Sequence, residues 1–577
     1  MLFITIISLI VAKALPVLNT QITSSQFSRI TTISLIFSGL ITLNCLNLES
    51  IGSGIGIYSG LFHITQISQI FEIFIFIIGG FILMGWYQPS LSNNINSSNK
   101  NYYYLENNMQ VIAANRGKIN LKNQSDYSLI ILFSILGSSL LISSFDLISI
   151  YLSIELQSFG LYVLSTLYKD SESSTSSGLK YFLLGGLSSC IILLGIGIIY
   201  SYTGITNLES LYILNTVSSP ITEGNISPVL EGLNLGLILL FVGFLFKIAA
   251  APLHNWSPDV YDGTPTIVTS WLTIIPKISI LILLLELQIQ IGTVDFIGGT
   301  LRAFINSNTG YLLDLPAIAG SGLVGPLQIL ELPVIKSLLL ISSLLSLIIG
   351  SLLGLAQNRI KRLLAYSTIS HIGFILLALA INTEAATASF LFYIIQYTFT
   401  NLNIFLIILA FTYLKSTRGV TDIRYLSEFK GLFFSNPFLS LSLAISLFSM
   451  AGIPPLIGFF SKQFVLYSAL QNGYYFISII AIIVSVISAS YYIKIVKLLV
   501  EDSNNSGSDI LLESSIATQS NKGAQLGSTS SRENRVELSN VHSYLISTLT
   551  LTILFFFIKP SIILNSSNLL TLSLFSI

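Results

Sequence analysis

The chain consists of apolar segments that are each about as long as a membrane-spanning helix. Charged residues make up only 9% of its 577 residues, against about 25% in soluble proteins. The sequence therefore predicts an all-α polytopic membrane protein. A helix needs roughly 20 mostly apolar residues to cross a bilayer, so about fourteen transmembrane helices are expected. They lie near residues 1–17, 30–47, 67–86, 127–144, 147–168, 178–201, 233–258, 265–288, 333–356, 363–381, 385–414, 437–468, 474–497 and 543–559.

Two lysines interrupt this apolar pattern. Lys247 and Lys462 each lie in an apolar segment beside prolines. A charged side chain at the bilayer centre costs roughly 2.5–3.5 kcal/mol. A broken helix is tolerated there only where protein or water covers the freed backbone groups. Two such segments in corresponding places of two halves indicate an ion site near the midplane. The predicted hinges of the broken helices are Pro252, Pro258, Gly452, Pro454 and Pro455.

A set of charged residues within the apolar segments forms a predicted proton relay. Lysine can release a proton when it is desolvated, whereas arginine cannot, and the deep cations of this chain are all lysines. Glu155 is expected to pair with Lys180 as a two-state element, ionised when the two are close. The alternative for that pair is a static ion pair that only fixes helix register. The full set is Glu155, Lys180, Lys247, Lys277 and Lys462.

Two histidines are further relay candidates. His254 lies on the first proline-interrupted stretch, and His371 lies in a later apolar segment. Imidazole titrates near neutrality and can pass protons, although a single histidine is more often a hydrogen-bonded core residue. Neither has a second histidine at metal-ligand spacing, so no metal site is expected.

Several classes of function have no support in the sequence. The formal net charge is zero, which argues against nucleic-acid binding as a main role. Cys45 and Cys190 are far from any CxxC spacing, and iron–sulfur clusters need clustered cysteines. Neither a GxGxxG that opens a βαβ unit nor a GxxxxGK[ST] motif is present, so no nucleotide cofactor is expected.

The basic residues predict the orientation in the membrane. Loops after odd-numbered predicted helices carry seventeen lysines and arginines, and the opposite loops carry only Arg302 and Lys559. Cytoplasmic or matrix loops are the ones enriched in basic residues. Both termini are therefore expected on the other side of the membrane.

Three long motifs carry a resemblance to a known family. They are AAPLHNWSPDVYDGTPT at 250–266, followed by Pro276-Lys277; RIKRLLAYSTISH at 359–371; and AGIPPLIGFFSK at 451–462. These motifs resemble the antiporter-like proton-pumping subunits of respiratory complex I, the NADH:ubiquinone oxidoreductase. Pro258–Tyr261 and Lys462 are most similar to its subunit 2 branch. The resemblance extends from about residue 127 to 497.

The resemblance implies two inverted repeats of five helices, at 127–288 and 333–497, with a broken helix in each. It also implies a Glu–Lys pair, a central lysine at Lys247 or Lys277, and an exit lysine at Lys462. NADH, FMN, the iron–sulfur clusters and ubiquinone would be bound by other subunits, and this chain would hold no cofactor. Its partners would be other membrane-arm subunits, including neighbouring antiporter-like subunits, and lipids, but not nucleic acid. The biased composition suggests a fungal mitochondrial gene.

The remaining segments complete the predicted organisation. Residues 1–88 hold N-terminal transmembrane helices, 89–126 a polar loop on the matrix side, and 289–332 a loop on the opposite side. Residues 498–541 form a polar variable insertion, and 542–577 a C-terminal helix and tail. Two other functions remain as alternatives. They are a subunit of a cation/proton antiporter, which shares the fold, and a purely structural membrane scaffold, which would not need unpaired lysines.

Overall fold

The protein is described by a computed structural model that covers residues 1–15, 24–46, 54–85, 126–168, 171–217, 228–290, 334–415, 422–501 and 538–575. The predicted segments 89–126, 289–332 and 498–541 fall almost wholly outside the described residues. The first half of the described chain contains these helices: α1 (Leu2–Ala14), α2 (Ser24–Cys45), α3 (Gln66–Met84), α4 (Asp126–Ile142), α5 (Leu147–Thr166), α6 (Glu172–Thr203), α7 (Leu208–Val217), α8 (Pro228–Lys247), α9 (Trp256–Gly263) and α10 (Thr266–Gln290).

The second half contains a similar series of helices, with a short 3-10 helix at Leu426–Phe429. They are α11 (Val334–Leu355), α12 (Ile360–Ile381), α13 (Glu384–Lys415), α14 (Leu432–Ser435), α15 (Pro437–Ala451), α16 (Ile457–Gln471), α17 (Tyr475–Val500), α18 (Asn540–Phe555) and α19 (Ser561–Phe575). Within the described residues, ten helices are long and apolar enough to cross a membrane. The all-α membrane architecture is confirmed at this level. The number fourteen and the inverted repeats remain predictions.

The predicted helices at 233–258 and 437–468 are both interrupted. The first ends at Lys247 and resumes as α9 at Trp256. The second ends at Ala451 and resumes as α16 at Ile457. The sequence did not indicate α7 or α19. α19 was missed because Asn565, Ser566, Ser567 and Asn568 break its apolar run.

Three helices form the centre of the bundle. The apolar windows of α10 and α12 are 100% buried inside the chain, and that of α13 is 89% buried, whereas those of the outer helices α6 and α17 are 39% buried. An outer helix faces lipid or a partner on one side, but a central helix faces only protein. Polar side chains on α10, α12 and α13 must therefore find partners or water within the protein.

A small β-hairpin closes one end of the bundle. Strands β1 (Ile55–Ile57) and β2 (Phe62–Ile64) pair antiparallel, with Ile55 opposite Ile64. The His63 amide donates to the Ser143 carbonyl at 2.8 Å, which fixes the hairpin to the chain between α4 and α5. Directly after β2, Thr65 caps α3 by accepting from the Ser68 amide. We call this the hairpin end of the bundle.

A polar clamp holds the opposite end. Asp422 accepts from Lys361 Nζ at 2.7 Å and from the Thr266 amide at 3.0 Å. Lys361 also donates to the Thr264 carbonyl at 2.8 Å. Burial by itself would raise the pKa of Asp422, but Lys361 and the Thr266 hydrogen bonds outweigh it and hold that pKa below its ordinary value. The clamp joins the start of α10, in the first half, to the start of α12, in the second.

Candidate functional site

The first interruption covers residues 248–255 and leaves backbone groups of α8 without helical partners. Ala249 adopts a left-handed conformation with φ of 61°, and the Ala250 amide still donates to the Leu245 carbonyl at 3.0 Å. The Trp256 indole donates to the Phe246 carbonyl at 2.9 Å. The Phe246 carbonyl also accepts from the Ala249 amide at 3.1 Å, so a side chain of α9 and the backbone of the interruption together satisfy a carbonyl near the end of α8, as buried helix ends require.

The two proline hinges predicted for this stretch have different places. Pro252 lies inside the interruption, and its carbonyl is 3.2 Å from His254 Nδ1. Pro258 is the third residue of α9. The prediction of Pro258 as a hinge is therefore wrong. Proline fits the first turn of a helix because an amide hydrogen there has no intrahelical acceptor.

The second interruption covers residues 452–456, and the side chain of Lys462 spans it to reach the end of α15. Lys462 Nζ donates to the carbonyls of Met450 and Ala451, both at 2.9 Å. These are the last carbonyls of α15, which a cation stabilises because the helix C-terminus is electronegative. Gly452 has φ of 88°, and a Cβ there would lie 3.1 Å from Lys462 Cδ. Both the backbone and the close approach of the lysine require glycine.

Glu155 pairs with Lys247. Lys247 Nζ is 3.2 Å from Glu155 Oε1, and their side chains are 8% and 14% exposed. Lys247 is also 3.4 Å from the Ser158 hydroxyl. The lysine is the last residue of α8. The ion pair therefore lies directly at the first interruption.

The predicted pairing of Glu155 with Lys180 is wrong. Lys180 is 55% exposed and bonds Asp259 of α9 at 3.0 Å. Its neighbour Tyr181 takes the inward face of α6 and stacks on Trp256, with ring centroids 5.0 Å apart. One residue turns a helix by about 100°, so Lys180 points outward. The sequence contains both residues but does not specify how α6 is rotated.

Lys180 belongs to a group of ion pairs near the clamp. Asp259 also accepts from Arg362 at 3.1 Å, and Arg359 bonds Asp262 at 2.5 Å. The hydrogen bond and the charge of Asp262 raise the pKa of Arg359. These pairs are partly exposed and join the first part of α6, helix α9 and the start of α12.

A small cavity adjoins the Glu155–Lys247 pair. Its walls include Lys247, Gln157, Tyr162 and Trp256, together with Pro276 of α10. Its volume of about 20 Å³ is sufficient for one water molecule. Pro276 and Ile280 bring the cavity to the central helix α10, whereas Lys277 itself is not one of its walls.

Lys277 is held differently from Lys247. Its side chain is 2% exposed, and its Nζ is 3.1 Å from the Thr368 hydroxyl of α12. The Tyr261 ring centroid lies 5.4 Å from the same nitrogen. Within the described parts of the chain, Lys277 forms no ion pair with a carboxylate. It is thus a buried lysine with neutral partners only.

His371 occupies the centre of the second half. Its Nδ1 is 2.8 Å from the Tyr393 hydroxyl, and its Nε2 is 3.4 Å from that of Tyr492. Tyr393 stacks on Phe374 at 5.9 Å between centroids, and Lys462 Nζ lies 5.7 Å from the Phe374 centroid. His371 therefore lies between Lys277 and Lys462. The Phe374 ring interrupts hydrogen bonding on the side of Lys462.

His254, the other histidine candidate, is less central. It is 7% exposed, and its ring centroid lies 6.4 Å from that of Tyr366. Its contact with the Pro252 carbonyl orders the interruption. Its role as a relay remains a prediction. In the described residues, no group of three or more His, Cys, Asp or Glu side chains could hold a metal ion.

Several polar groups within apolar helices were not among the predicted site residues. Glu72 lies in α3 and Glu286 in α10, and both could have been found as carboxylates within apolar runs. Gln396 and Asn403 of α13 are 1% and 0% exposed. Their side-chain amide atoms have no hydrogen-bond partner among the described residues. Buried amides of this kind ordinarily bind ordered water.

Comparison with known proteins places the chain among respiratory and antiporter membrane proteins. The family model "NADH:quinone oxidoreductase/Mrp antiporter, TM" matches residues 144–305 and 309–488. NADH-ubiquinone oxidoreductase chain 2 of the fungus Rhizopus oryzae is 46% identical over the full length of both chains.

Solved structures share the fold. A chain of respiratory complex I from Thermus thermophilus superposes with a TM-score of 0.64 at 22% identity, over 98% of this chain and 99% of that one. A chain of the Mrp complex from Dietzia sp. DQ12-45-1b gives 0.68 at 16% identity, over 99% and 96%. At these identities the similarity shows the fold alone.

Proposed function

This chain belongs to the NADH:quinone oxidoreductase/Mrp antiporter membrane family, and we propose from that membership that it is a proton-translocating membrane-arm subunit of respiratory complex I. NADH oxidation and ubiquinone reduction would take place in other subunits, which would bind the FMN and the iron–sulfur clusters. The chain would lie in the mitochondrial inner membrane, with both termini in the intermembrane space. Its neighbours would be other antiporter-like subunits of the membrane arm.

The observation that carries the proposal is the Glu155–Lys247 pair at the first interruption. Two charges at 3.2 Å in a low-dielectric site stabilise each other strongly. Separating them, or moving a proton between them, changes the local charge at a point where backbone groups and a water-sized cavity are available. The pair can therefore exist as two charges or, when Glu155 has taken the proton of Lys247, as two neutral groups.

The second half supplies the acceptors that such a relay needs. A proton from Lys247 would pass by way of the cavity beside Pro276 to Lys277. From Lys277 it would reach His371 by way of the Thr368 and Tyr393 hydroxyls. Lys462, at the second interruption, would be the last group of this relay. Water would have to bridge the Phe374 ring, and the unpaired amides of α13 show where the interior can hold water.

The alternative of a free-standing cation/proton antiporter has less support. A subunit of such an antiporter would have the same fold. This chain is 16% identical to the chain of the Mrp complex, whereas it is 46% identical over its full length to the complex I chain of Rhizopus oryzae. The scaffold alternative does not account for Lys277, which is buried without a carboxylate.

A pair of variants tests the proposal in the assembled complex in sealed vesicles. Lys247→Arg keeps a cation opposite Glu155 but cannot release its proton, so the complex should assemble while NADH-driven proton uptake is lost. Lys247→Ala should lose proton uptake as well. Lys559→Ala, which removes an exposed lysine, is the matched control. Full proton uptake in assembled Lys247→Arg would contradict the proposal.

A further inference from the structure

A second group of buried and half-buried polar side chains lies along the contact between α3 and α10 and ends at Gln157 of α5. We propose that this group carries protons between the hairpin end of the bundle and the cavity beside Lys247. The inference rests on the proposed function and adds a path to it. We call the group the α3–α10 polar row, and its members are Glu286, Thr65, Gln69, Glu72, Ser279 and Gln157.

The two glutamates of the row stand in apolar surroundings without a cation. Glu286 is 8% exposed and Glu72 is half-buried, and they lie on two helices that pack against each other. Within the described residues, neither forms an ion pair. A carboxylate in a largely apolar site without a cation is costly to ionise. A carboxyl group there is more stable with its proton, which it can give away.

The packing of α3 against α10 sets these side chains in register. The Thr65 side chain caps α3 at the hairpin end, and Glu286 lies near the end of α10. At the other end of the contact, a Cβ on Gly79 would lie 3.2 Å from Trp271 Cη2. Positions near the start of α3 thus meet positions near the end of α10, and the two helices run antiparallel.

Helix periodicity extends this register by two turns. Residues seven apart lie on nearly the same face of a helix, about 10 Å apart along its axis. Glu72 follows Thr65 by seven residues, and Ser279 precedes Glu286 by seven. Because the helices are antiparallel, Glu72 and Ser279 lie at the same level on the facing sides of α3 and α10.

Gln69 is independent evidence that this face of α3 accommodates a water molecule or another polar group. It lies between Thr65 and Glu72 at the spacing that shares one helix face. It is 7% exposed, and its Oε1 has no hydrogen-bond partner among the described residues. A buried carbonyl oxygen without a donor is costly. A water molecule or a protonated carboxyl group beside it removes that cost.

The inner end of the row reaches the Lys247 cavity by observed contacts. Gln157 Nε2 donates to the Ser279 hydroxyl at 2.9 Å. Gln157 is also one of the cavity walls that it shares with Lys247. The row therefore joins Glu286, near the hairpin, to the Glu155–Lys247 pair.

The transfer involves only O–H bonds, and its charge balances. When Glu72 gives its proton, through water held at Ser279 and Gln157, to a water molecule in the cavity beside Lys247, a carboxylate is left in an apolar site. Glu286 then passes its proton through water at Gln69 to Glu72, and it takes a new proton from the hairpin end. Run in reverse, the same steps release a proton there.

The test uses the assembled complex with Glu72→Gln and Glu286→Gln, each a neutral isostere of a protonated glutamate. Glu384→Gln, which changes an exposed glutamate at the start of α13, is the matched control. Proton uptake per NADH oxidised is measured in vesicles, and infrared difference spectra record deuterium-sensitive bands of protonated carboxyl groups. Lys247→Ala is measured in parallel.

We expect both variants to assemble, to lose proton uptake and to lose a protonated-carboxyl band, while Glu384→Gln changes none of these. Wild-type uptake in both variants, with Lys247→Ala inactive, would overturn the polar row and leave the proposed function standing. Wild-type uptake in all three would overturn the proposed function as well. Failure of Glu72→Gln to assemble would also count against the row, because a neutral resting carboxyl group tolerates a neutral isostere.

Discussion

The two interruptions of this fold hold their lysines in different ways. Lys247 precedes its interruption and pairs with a carboxylate, whereas Lys462 follows its interruption and bonds the carbonyls of Met450 and Ala451. A carboxylate can gain or lose a proton, but a backbone carbonyl cannot. We therefore propose that the first site switches between two charge states. At the second site, where the partners are fixed backbone carbonyls, only the lysine would accept or release a proton.

The largest expected effect comes from the clamp that joins the two halves. Asp422→Asn leaves Lys361, which is 3% exposed, with a buried charge and no carboxylate. Removing one partner of a buried pair costs about 3–5 kcal/mol, so assembly of the complex should fall. Quantifying the assembled complex checks this, with Glu501→Gln, which removes an exposed ion-pair partner of Lys430, as the control.

The clamp should also depend on pH. Because Asp422 has a lowered pKa in the folded protein, its stabilising effect is present above the ordinary pKa of an aspartate. It is lost as the pH falls through the lowered value.

Wild-type levels of assembled Asp422→Asn complex would show that the two halves do not depend on this contact.

A smaller effect is expected from closing the second interruption. Replacing Pro454 and Pro455 together with alanine removes residues that each cost about 3 kcal/mol within a helix. The helix could then continue and satisfy the carbonyls of Met450 and Ala451 itself. Lys462 would lose its cradle, so proton uptake should decrease while thermal stability holds or rises. Unchanged uptake in the double variant would reduce this interruption to a packing feature.

The smallest effect is expected at Lys180. Its pair with Asp259 is exposed, and exposed ion pairs contribute about 0–1 kcal/mol. Lys180→Ala should therefore change both assembly and proton uptake less than Lys247→Ala does. The ratio of the two proton-uptake rates, measured in the same vesicle preparation, checks this. Equal losses of proton uptake in the two variants would show that Lys180 belongs to the proton relay.

The sequence predicted the interruptions and the buried lysines because both violate the pattern of an apolar helix. Prolines and lysines are visible in any apolar run. The partner of Glu155 could not be predicted, because it depends on the rotation of α6 and on α8 ending at Lys247. The contacts of His371 join residues 22 and 121 positions away, which no local pattern reveals.

The missed glutamates show a different reason for failure. Glu72 and Glu286 are visible as charges in apolar segments, but unlike Lys247 and Lys462 they lie outside the proline-interrupted stretches and the three long motifs. Their significance depends on the antiparallel register of α3 and α10. That register comes from packing of Gly79 against Trp271, not from any motif.

The central claim is that Glu155 and Lys247 act as one unit, and a double-mutant cycle on proton uptake tests it most directly. Glu155→Gln is combined with Lys247→Ala and, separately, with Lys180→Ala, and uptake per NADH oxidised is compared with that of each single variant. Residues that act as a unit give non-additive losses. We predict that Lys247→Ala adds no further loss to Glu155→Gln, whereas any loss from Lys180→Ala adds in full. Additive losses with Lys247 together with non-additive losses with Lys180 would contradict the account.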